Sequence, residues 1–147
     1  MDILRILLAT LVATSLMTMF SYYLSEKFNA LYKEPVLLKK IMEMTKLHFN
    51  SSVQTVLGWL IHYLVGLLFV IAYDRLWHTG YVDATWFSGI LLGIASGIIG
   101  VVGWMFLFSI PNHAPRVKYR EYYQQLFFAH IIFALAAVTI YKLWPLD

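Results

Sequence analysis

Cysteine is absent from the 147-residue chain, and charged residues make up only 13% of it. Without a thiol the chain forms no disulfide, and thiolate catalysis and cysteine-ligated zinc or iron–sulfur centres are excluded as well. The low charge also argues against a soluble domain, because soluble domains are about 25% charged and about 45–50% apolar. Here 61% of the residues are hydrophobic. The composition therefore indicates an integral membrane protein.

Signatures of catalysis and of metal binding are also missing. The sequence has no HExxH motif and no cluster of carboxylates. We therefore expect no catalytic residue and no metal site, which favours a non-enzymatic protein while leaving an enzyme open. The basic residues flank hydrophobic runs instead of forming a continuous surface, so we expect no nucleic-acid partner.

Four runs free of Asp, Glu, Lys and Arg are long enough to cross a bilayer as helices, which takes about 20 apolar residues. Asn50 offers an N-cap to the second run, and Pro111 ends the third. The sequence thus predicts an all-α integral membrane protein, a four-transmembrane-helix bundle in which residues 1–147 form a single membrane domain. The predicted spans are 4–25, 52–76, 84–109 and 121–143.

Lysine and arginine are distributed unevenly between the predicted loops. Three of the eleven lie on one side, namely Arg5, Arg75 and Lys142. The other eight lie in the first and third loops: Lys27, Lys33, Lys39, Lys40, Lys46, Arg116, Lys118 and Arg120. The positive-inside rule places those two loops in the cytoplasm and both termini outside, N-out and C-out. We expect Lys39, Lys40, Arg116, Lys118 and Arg120 to bind anionic lipid headgroups on the cytoplasmic side.

The first loop contains a predicted helix of its own. Residues 35–49 read PVLLKKIMEMTKLHF, in which apolar residues are spaced for one helical face and Lys39, Lys40, Glu43 and Lys46 occupy the remainder. This pattern predicts a short cytoplasmic amphipathic helix that lies in the plane of the headgroups. A docking helix for a partner protein is the alternative.

Small residues mark the faces on which membrane helices approach closely. The second and third spans carry them at a spacing of four or close to it, and the residues expected at helix contacts are Gly58, Gly66, Gly89, Gly93, Gly97 and Gly100. The glycines of the third span also suit contact between two copies of the chain. A homo-oligomer, or a place in a larger membrane complex, is therefore an open alternative.

Two histidines lie near the predicted middle of the membrane. His62 is about ten residues into the second span and His130 about nine into the fourth, so both imidazoles are about 13–15 Å deep. Thr14 and Gln54 are the other polar residues assigned to this intramembrane layer. Three interpretations are open, namely a structural hydrogen-bond cluster, which we favour, a proton or ion relay, and a bis-histidine haem b site. We predict no cofactor.

Several of these residues also resemble the YagU-like small bacterial inner-membrane proteins. The matching features are Ala13-Thr14-x-x-Met17-Thr18, His62 followed by Gly66, and Gly93 and Gly97 leading to Trp104, Pro111 and His130. The long basic first loop departs from that pattern, and Ala134 stands where such proteins often have glycine. The resemblance implies a four-helix fold in a bacterial inner membrane and no particular activity.

The function favoured by the sequence is a structural, assembly or accessory subunit of the membrane. The first alternative is a small transporter or proton- or ion-conducting protein that uses His62 and His130. The second is a haem-bearing electron-transfer protein. A convincing internal repeat, which is common in transporters, is not found in the sequence.

Overall fold

The computed structural model describes residues 2–45 and 49–144 of the chain. Within these ranges it contains no strand, and its helices are α1 (Ile3–Lys27), α2 (Glu34–Met44), α3 (Ser51–His78), α4 (Trp86–Ser109) and α5 (Tyr119–Leu143). The four long helices begin and end within two residues of the predicted spans. Each is long and apolar enough to cross a membrane. The all-α prediction is confirmed, and by length and composition the chain is a multi-pass membrane protein.

Side-chain caps set the first turn of three of these helices. The Asp2 carboxylate accepts hydrogen bonds from the backbone N–H groups of Leu4 and Arg5 at the start of α1. Asn50, the predicted N-cap, accepts from Val53 N–H at 2.9 Å and starts α3. Thr85 and Ser88 form a reciprocal capping box at the start of α4. Each cap satisfies backbone donors that a helix otherwise leaves unpaired at its first turn.

Helix α5 is the centre of the bundle. It packs along α4 on one side and along α1 on the other, while α3 packs against α1 and α2. The Tyr73 hydroxyl joins α3 to α4, donating to Ser96 Oγ at 2.7 Å and lying 3.4 Å from the Leu92 carbonyl oxygen. On the α2 side of that bond they border a cleft.

The two ends of the bundle differ in chemistry. At the terminal end, the Arg5 guanidinium donates to the backbone oxygen of Trp144 at 3.4 Å, which brings the first and last helices together. The opposite end, called the α2 end here, carries the α1–α3 and α4–α5 connections. Pro111, in the second of these connections, is buried beyond the last turn of α4.

Helix α2 is shorter than predicted. It ends at Met44, five residues before the predicted end at Phe49, and the predicted residues Lys46 and His48 lie outside the described part of the chain. Leu37 and Ile41 are buried, and the helix packs mainly on α3. The apolar face expected to lie on lipid is therefore covered by protein, and binding of α2 to headgroups stays a prediction.

Glycines lie where the helices approach most closely. A Cβ atom at Gly93 would be 2.7 Å from the Cα of Ile131, and one at Gly97 would be 2.9 Å from the Phe127 ring, so both glycines set the distance between α4 and α5. A Cβ atom at Gly89 would likewise lie 2.8 Å from Cγ2 of Val138 on α5. A Cβ atom at Gly58 of α3 would lie 2.5 Å from the Pro35 carbonyl oxygen in α2, so this glycine sets the distance between those two helices. Any side chain at these positions would push the helices apart.

Candidate functional site

A cleft of about 240 Å³ lies between α3 and α4, with α1 and α5 behind it. Its walls are aliphatic and aromatic and include the rings of Phe69, Trp104 and Phe133. Its polar side chains are Thr14, Glu34, His62 and His130, and no lysine or arginine occurs among the described residues that line it. Both predicted intramembrane histidines thus face the same space.

His62 is held in one orientation by α1. Its Nε2 lies 2.8 Å from Thr18 Oγ1, and that hydroxyl donates its own proton to the Thr14 carbonyl at 2.6 Å. Thr18 therefore accepts from Nε2–H, and the neutral ring carries its lone pair on Nδ1. Nδ1 has no hydrogen-bond partner among the described residues. The ring is buried, with 8% of its surface exposed, beside Trp59 and Tyr63.

His130 is held by its own helix. Its Nδ1 donates to the Leu126 carbonyl at 2.8 Å, one turn earlier in α5. A carbonyl only accepts, so the neutral ring has its lone pair on Nε2. The Phe69 ring packs edge-on against the imidazole at 5.6 Å. In the described chain no donor reaches Nε2, and both imidazoles therefore line the cleft as hydrogen-bond acceptors.

Thr14 joins α1 to α3 at the same site. Gly66 of α3 lies directly on the Thr14 hydroxyl, where any Cβ would overlap it. That hydroxyl is buried and has no hydrogen-bond partner in the described part of the chain. A buried hydroxyl left without a partner is destabilising, and this one lies beneath Gly66, where it sets the contact between α1 and α3.

Glu34 forms the α2 end of the cleft and was not predicted from the sequence. Its carboxylate is 1% exposed, and Oε1 accepts from Ser21 Oγ at 2.7 Å and from Gln125 Nε2 at 3.2 Å. Oε2 is buried without a partner among the residues described. Burial raises the pKa of the Glu34 carboxyl to about 7, against the opposing effect of the Ser21 and Gln125 hydrogen bonds. The group therefore exchanges a proton near neutral pH.

The polar groups occupy different depths along the cleft. Gln125, which binds Glu34, precedes His130 by five residues on α5, or about 7.5 Å along the helix axis. On α1, Ser21, Thr18 and Thr14 follow one another toward the terminal end and contact Glu34, His62 and Gly66 in turn. The cleft thus has an acidic end and an imidazole-lined middle.

The other polar and basic residues predicted at sites lie away from the cleft. Gln54 is buried on α3, eight residues or about 12 Å before His62 toward the α2 end. Lys39 donates to Ser51 Oγ at 2.7 Å and is half-buried, as is Lys40. Arg116, Lys118 and Arg120 are exposed at the α2 end, where cations predicted to bind headgroups would lie.

A buried charge cluster at the terminal end was also missed by the sequence reasoning. Asp74 Oδ1 accepts from the Tyr141 hydroxyl at 2.7 Å and lies 3.8 Å from the Arg5 guanidinium. His78 Nδ1 is 3.2 Å from the same oxygen. Arg5 also stacks over the Tyr141 ring at 4.8 Å. The cluster ties α1, α3 and α5 together and has no contact with the cleft-lining residues His62 and His130.

No group of three or more His, Cys, Asp or Glu side chains that could hold a metal ion occurs in the described chain. A bis-histidine haem would draw one ring nitrogen from His62 and one from His130. One of the two ring nitrogens of His62, Nε2, is already hydrogen-bonded to Thr18. The haem hypothesis stays a prediction.

Comparison of the chain with protein-family models, with curated proteins and with solved structures gives no match. The resemblance to YagU-like proteins therefore stays a prediction, and the cleft has to be interpreted from its own geometry.

Proposed function

We propose that the protein is a small membrane transporter whose substrate site is the cleft between α3 and α4. The observation that carries the proposal is that His62 of α3 and His130 of α5 line one cleft, each with a ring nitrogen that has no partner among the described residues. Polar side chains at membrane depth commonly mark substrate pathways. A mostly apolar pocket with a few convergent polar groups is typical of a small-molecule site.

The open space itself supports binding over packing. A void in a packed bundle lowers stability, because its lining atoms lose contacts. Gly103 lines this cleft, and a Cβ there would meet nothing within 4 Å. A larger side chain at this position would project into the open space of the cleft, which glycine leaves free.

The helix contacts suit a transporter that opens and closes. The Tyr73–Ser96 hydrogen bond closes the space between α3 and α4 toward the terminal end. In this conformation the substrate site extends toward Glu34 at the α2 end. Because few other contacts join α3 to α4, separating them breaks little packing. Alternating access would then be a movement of α3 against the α4–α5 pair.

We place the protein in a bacterial inner membrane, as the resemblance to YagU-like proteins implies, with the α2 end in the cytoplasm on the strength of the eight lysines and arginines in the first and third loops. The absence of native cysteine makes this simple to test. Arg116→Cys should be protected from a membrane-impermeant maleimide in intact cells, and Tyr81→Cys, at a position 82% exposed in the opposite loop, should react. The reverse pattern would invert the topology.

A structural or accessory subunit is the second candidate. It is favoured by the hydrogen bonds that both imidazoles make inside the bundle, His62 to Thr18 and His130 to the Leu126 carbonyl. In that case the cleft is filled by lipid or by a partner helix, and filling it with a larger side chain would not change dye uptake.

The test of the transport proposal is to fill the cleft. Vesicles containing purified wild type, Gly103→Leu or Val102→Leu would be compared for uptake of lipophilic cationic, neutral and anionic dyes. Val102 is the matched control, because it is 59% exposed one residue away. We expect at least one dye to enter wild-type and Val102→Leu vesicles about tenfold faster than Gly103→Leu vesicles. Equal rates with all three proteins would favour the structural role.

A further inference from the structure

We propose that the substrate is a hydrophobic amine, bound as its ammonium ion with Glu34 as the counter-ion. The inference rests on the proposed function, because it assigns a substrate class to the same cleft. It also gives Glu34 a binding role, which neither motif nor spacing in the sequence indicates.

The unpaired polar atoms of the cleft are mostly of one kind. Glu34 Oε2, His62 Nδ1 and His130 Nε2 are hydrogen-bond acceptors without a donor among the described residues. The lining includes a carboxyl group and no described lysine or arginine. A ligand that satisfies such a site must bring donors and positive charge, and an ammonium group supplies up to three N–H donors with a full charge. An anionic ligand would meet Glu34 with no cation to compensate.

The walls suit the rest of such a molecule. The aromatic rings of Phe69, Trp104 and Phe133 line the cleft together with aliphatic side chains. Their faces attract a cation electrostatically, and their surface buries a hydrophobic body. A volume of about 240 Å³ limits the amine to a compact hydrocarbon skeleton or to part of a longer chain.

Charge balance is maintained by exchange of a proton. Burial disfavours the charged form of Glu34, and the titratable groups of the helices packed near it are Tyr22 of α1 and Tyr122 of α5. His62 and His130 face it along the cleft, and Ser21 and Gln125 bind the other carboxyl oxygen. When an ammonium ion enters, the carboxyl proton leaves to solvent and the O–H bond is replaced by an ion pair. One cation enters and one proton leaves, so the net charge of the cleft does not change.

The pKa of Glu34 also supports the proton exchange, in addition to the geometry of the cleft. Burial raises the pKa of Glu34 to about 7, so the carboxyl group holds a proton in part of the molecules at neutral pH. At a lower pH the proton competes with the cation, and at a higher pH the site is open to it.

The test is calorimetric binding to the full-length protein in lipid nanodiscs. The probes are two amines, 1-aminoadamantane and decylamine, and their neutral partners, 1-adamantanol and decanol. At pH 7 we expect the amines to bind wild type at least tenfold more tightly than the alcohols. Repeating the titration in buffers of different ionisation enthalpy should show release of up to one proton per amine. That second measurement needs no variant and so does not depend on a variant's folding.

Glu34→Gln is the decisive variant, because the amide oxygen can still accept from Ser21 and Gln125. We expect it to lose the preference for amines and to bind alcohols as wild type does. Glu121→Gln, at an exposed carboxylate outside the cleft, is the control. If amines and alcohols bind alike, and Gly103→Leu abolishes both, the substrate class is wrong and the transport site stands. If none of the four compounds binds wild type, the amine assignment fails, and the dye-uptake comparison of Gly103→Leu decides the proposed function separately.

Discussion

Gly100 of α4 lies directly against the imidazole of His130 on α5. A Cβ atom at Gly100 would lie 2.5 Å from Cε1 of the ring and 2.7 Å from Nε2. The ring cannot retreat without breaking the hydrogen bond that its Nδ1 donates to the Leu126 carbonyl at 2.8 Å. The glycine thus belongs to the cleft as much as to helix packing, since it is what allows the imidazole its position.

Gly100→Ala should displace the imidazole. We expect weaker binding of 1-aminoadamantane, by about tenfold, and a lower Tm, since overpacking of this kind costs about 1–3 kcal/mol. Gly103→Ala is the matched control, because a Cβ at Gly103 meets nothing within 4 Å. It should keep or raise the Tm, as alanine is the better helix former by about 1 kcal/mol. Equal effects of the two substitutions would mean that the ring position does not matter.

Gly93→Ala should separate α4 from α5. The added Cβ would lie 2.7 Å from the Ile131 Cα and 3.2 Å from the His130 carbonyl oxygen, and backbone atoms cannot rotate away as a side chain can. We expect a loss of about 1–3 kcal/mol in stability, measured as a lower Tm in detergent. Ala95→Leu, on the exposed face of the same helix, should leave the Tm unchanged. A Gly93→Ala protein as stable as wild type would contradict the assigned interface.

The long helices could be predicted closely because the signal for them is composition over about 20 residues, and the lipid enforces it. Asn50 was recognised as a cap because its position before an apolar run has a local meaning. Helix α2 was overextended to Phe49, since an apolar pattern alone does not mark where a helix ends. Its burial on α3 depends on the tertiary fold, which periodicity does not contain.

The candidate site was predictable only in part. The equal depth of His62 and His130 follows from counting residues along two helices, and the structure brings both to one cleft. Glu34 was missed because its neighbours Ser21 and Gln125 are distant in sequence. Asp74 was missed because it lies near a predicted helix end, where a charge needs no explanation. The available signal for Glu34 was a single acidic residue beside Pro35 at the start of a helix. For Asp74 it was a histidine, His78, four residues later.

Asp74→Asn should destabilise the terminal end. The substitution removes the carboxylate beside Arg5 and keeps an oxygen that can accept from Tyr141. Removing one partner of a buried ion pair costs up to about 3–5 kcal/mol, because the attraction between the two buried charges is lost. Tyr141→Phe removes one hydrogen bond and should cost about 1–2 kcal/mol. If thermal unfolding in detergent showed the two variants to be equally stable, the ion pair would not be what holds this end together.

Glu34→Gln should change how stability depends on pH. In the folded protein the pKa of Glu34 is raised from 4.5 to about 7, so the folded state holds this proton more tightly than the unfolded state does. The contribution to stability is therefore fully present below about pH 4.5 and is lost as pH rises through about 7. The loss is on the order of 3 kcal/mol, at about 1.4 kcal/mol for each pKa unit.

The glutamine variant has no proton to lose, so this part of the dependence should vanish. The Tm of Glu34→Gln minus the Tm of wild type should therefore be larger at pH 8 than at pH 5. The difference between the two proteins isolates Glu34, because every other titratable group is the same in both. Glu121→Gln is the control, since Glu121 is exposed outside the cleft and the amide oxygen can still accept from Tyr32. Parallel Tm curves for wild type and Glu34→Gln would show that Glu34 has no raised pKa in the fold, and the proton exchange inferred for the cleft would lose its physical basis.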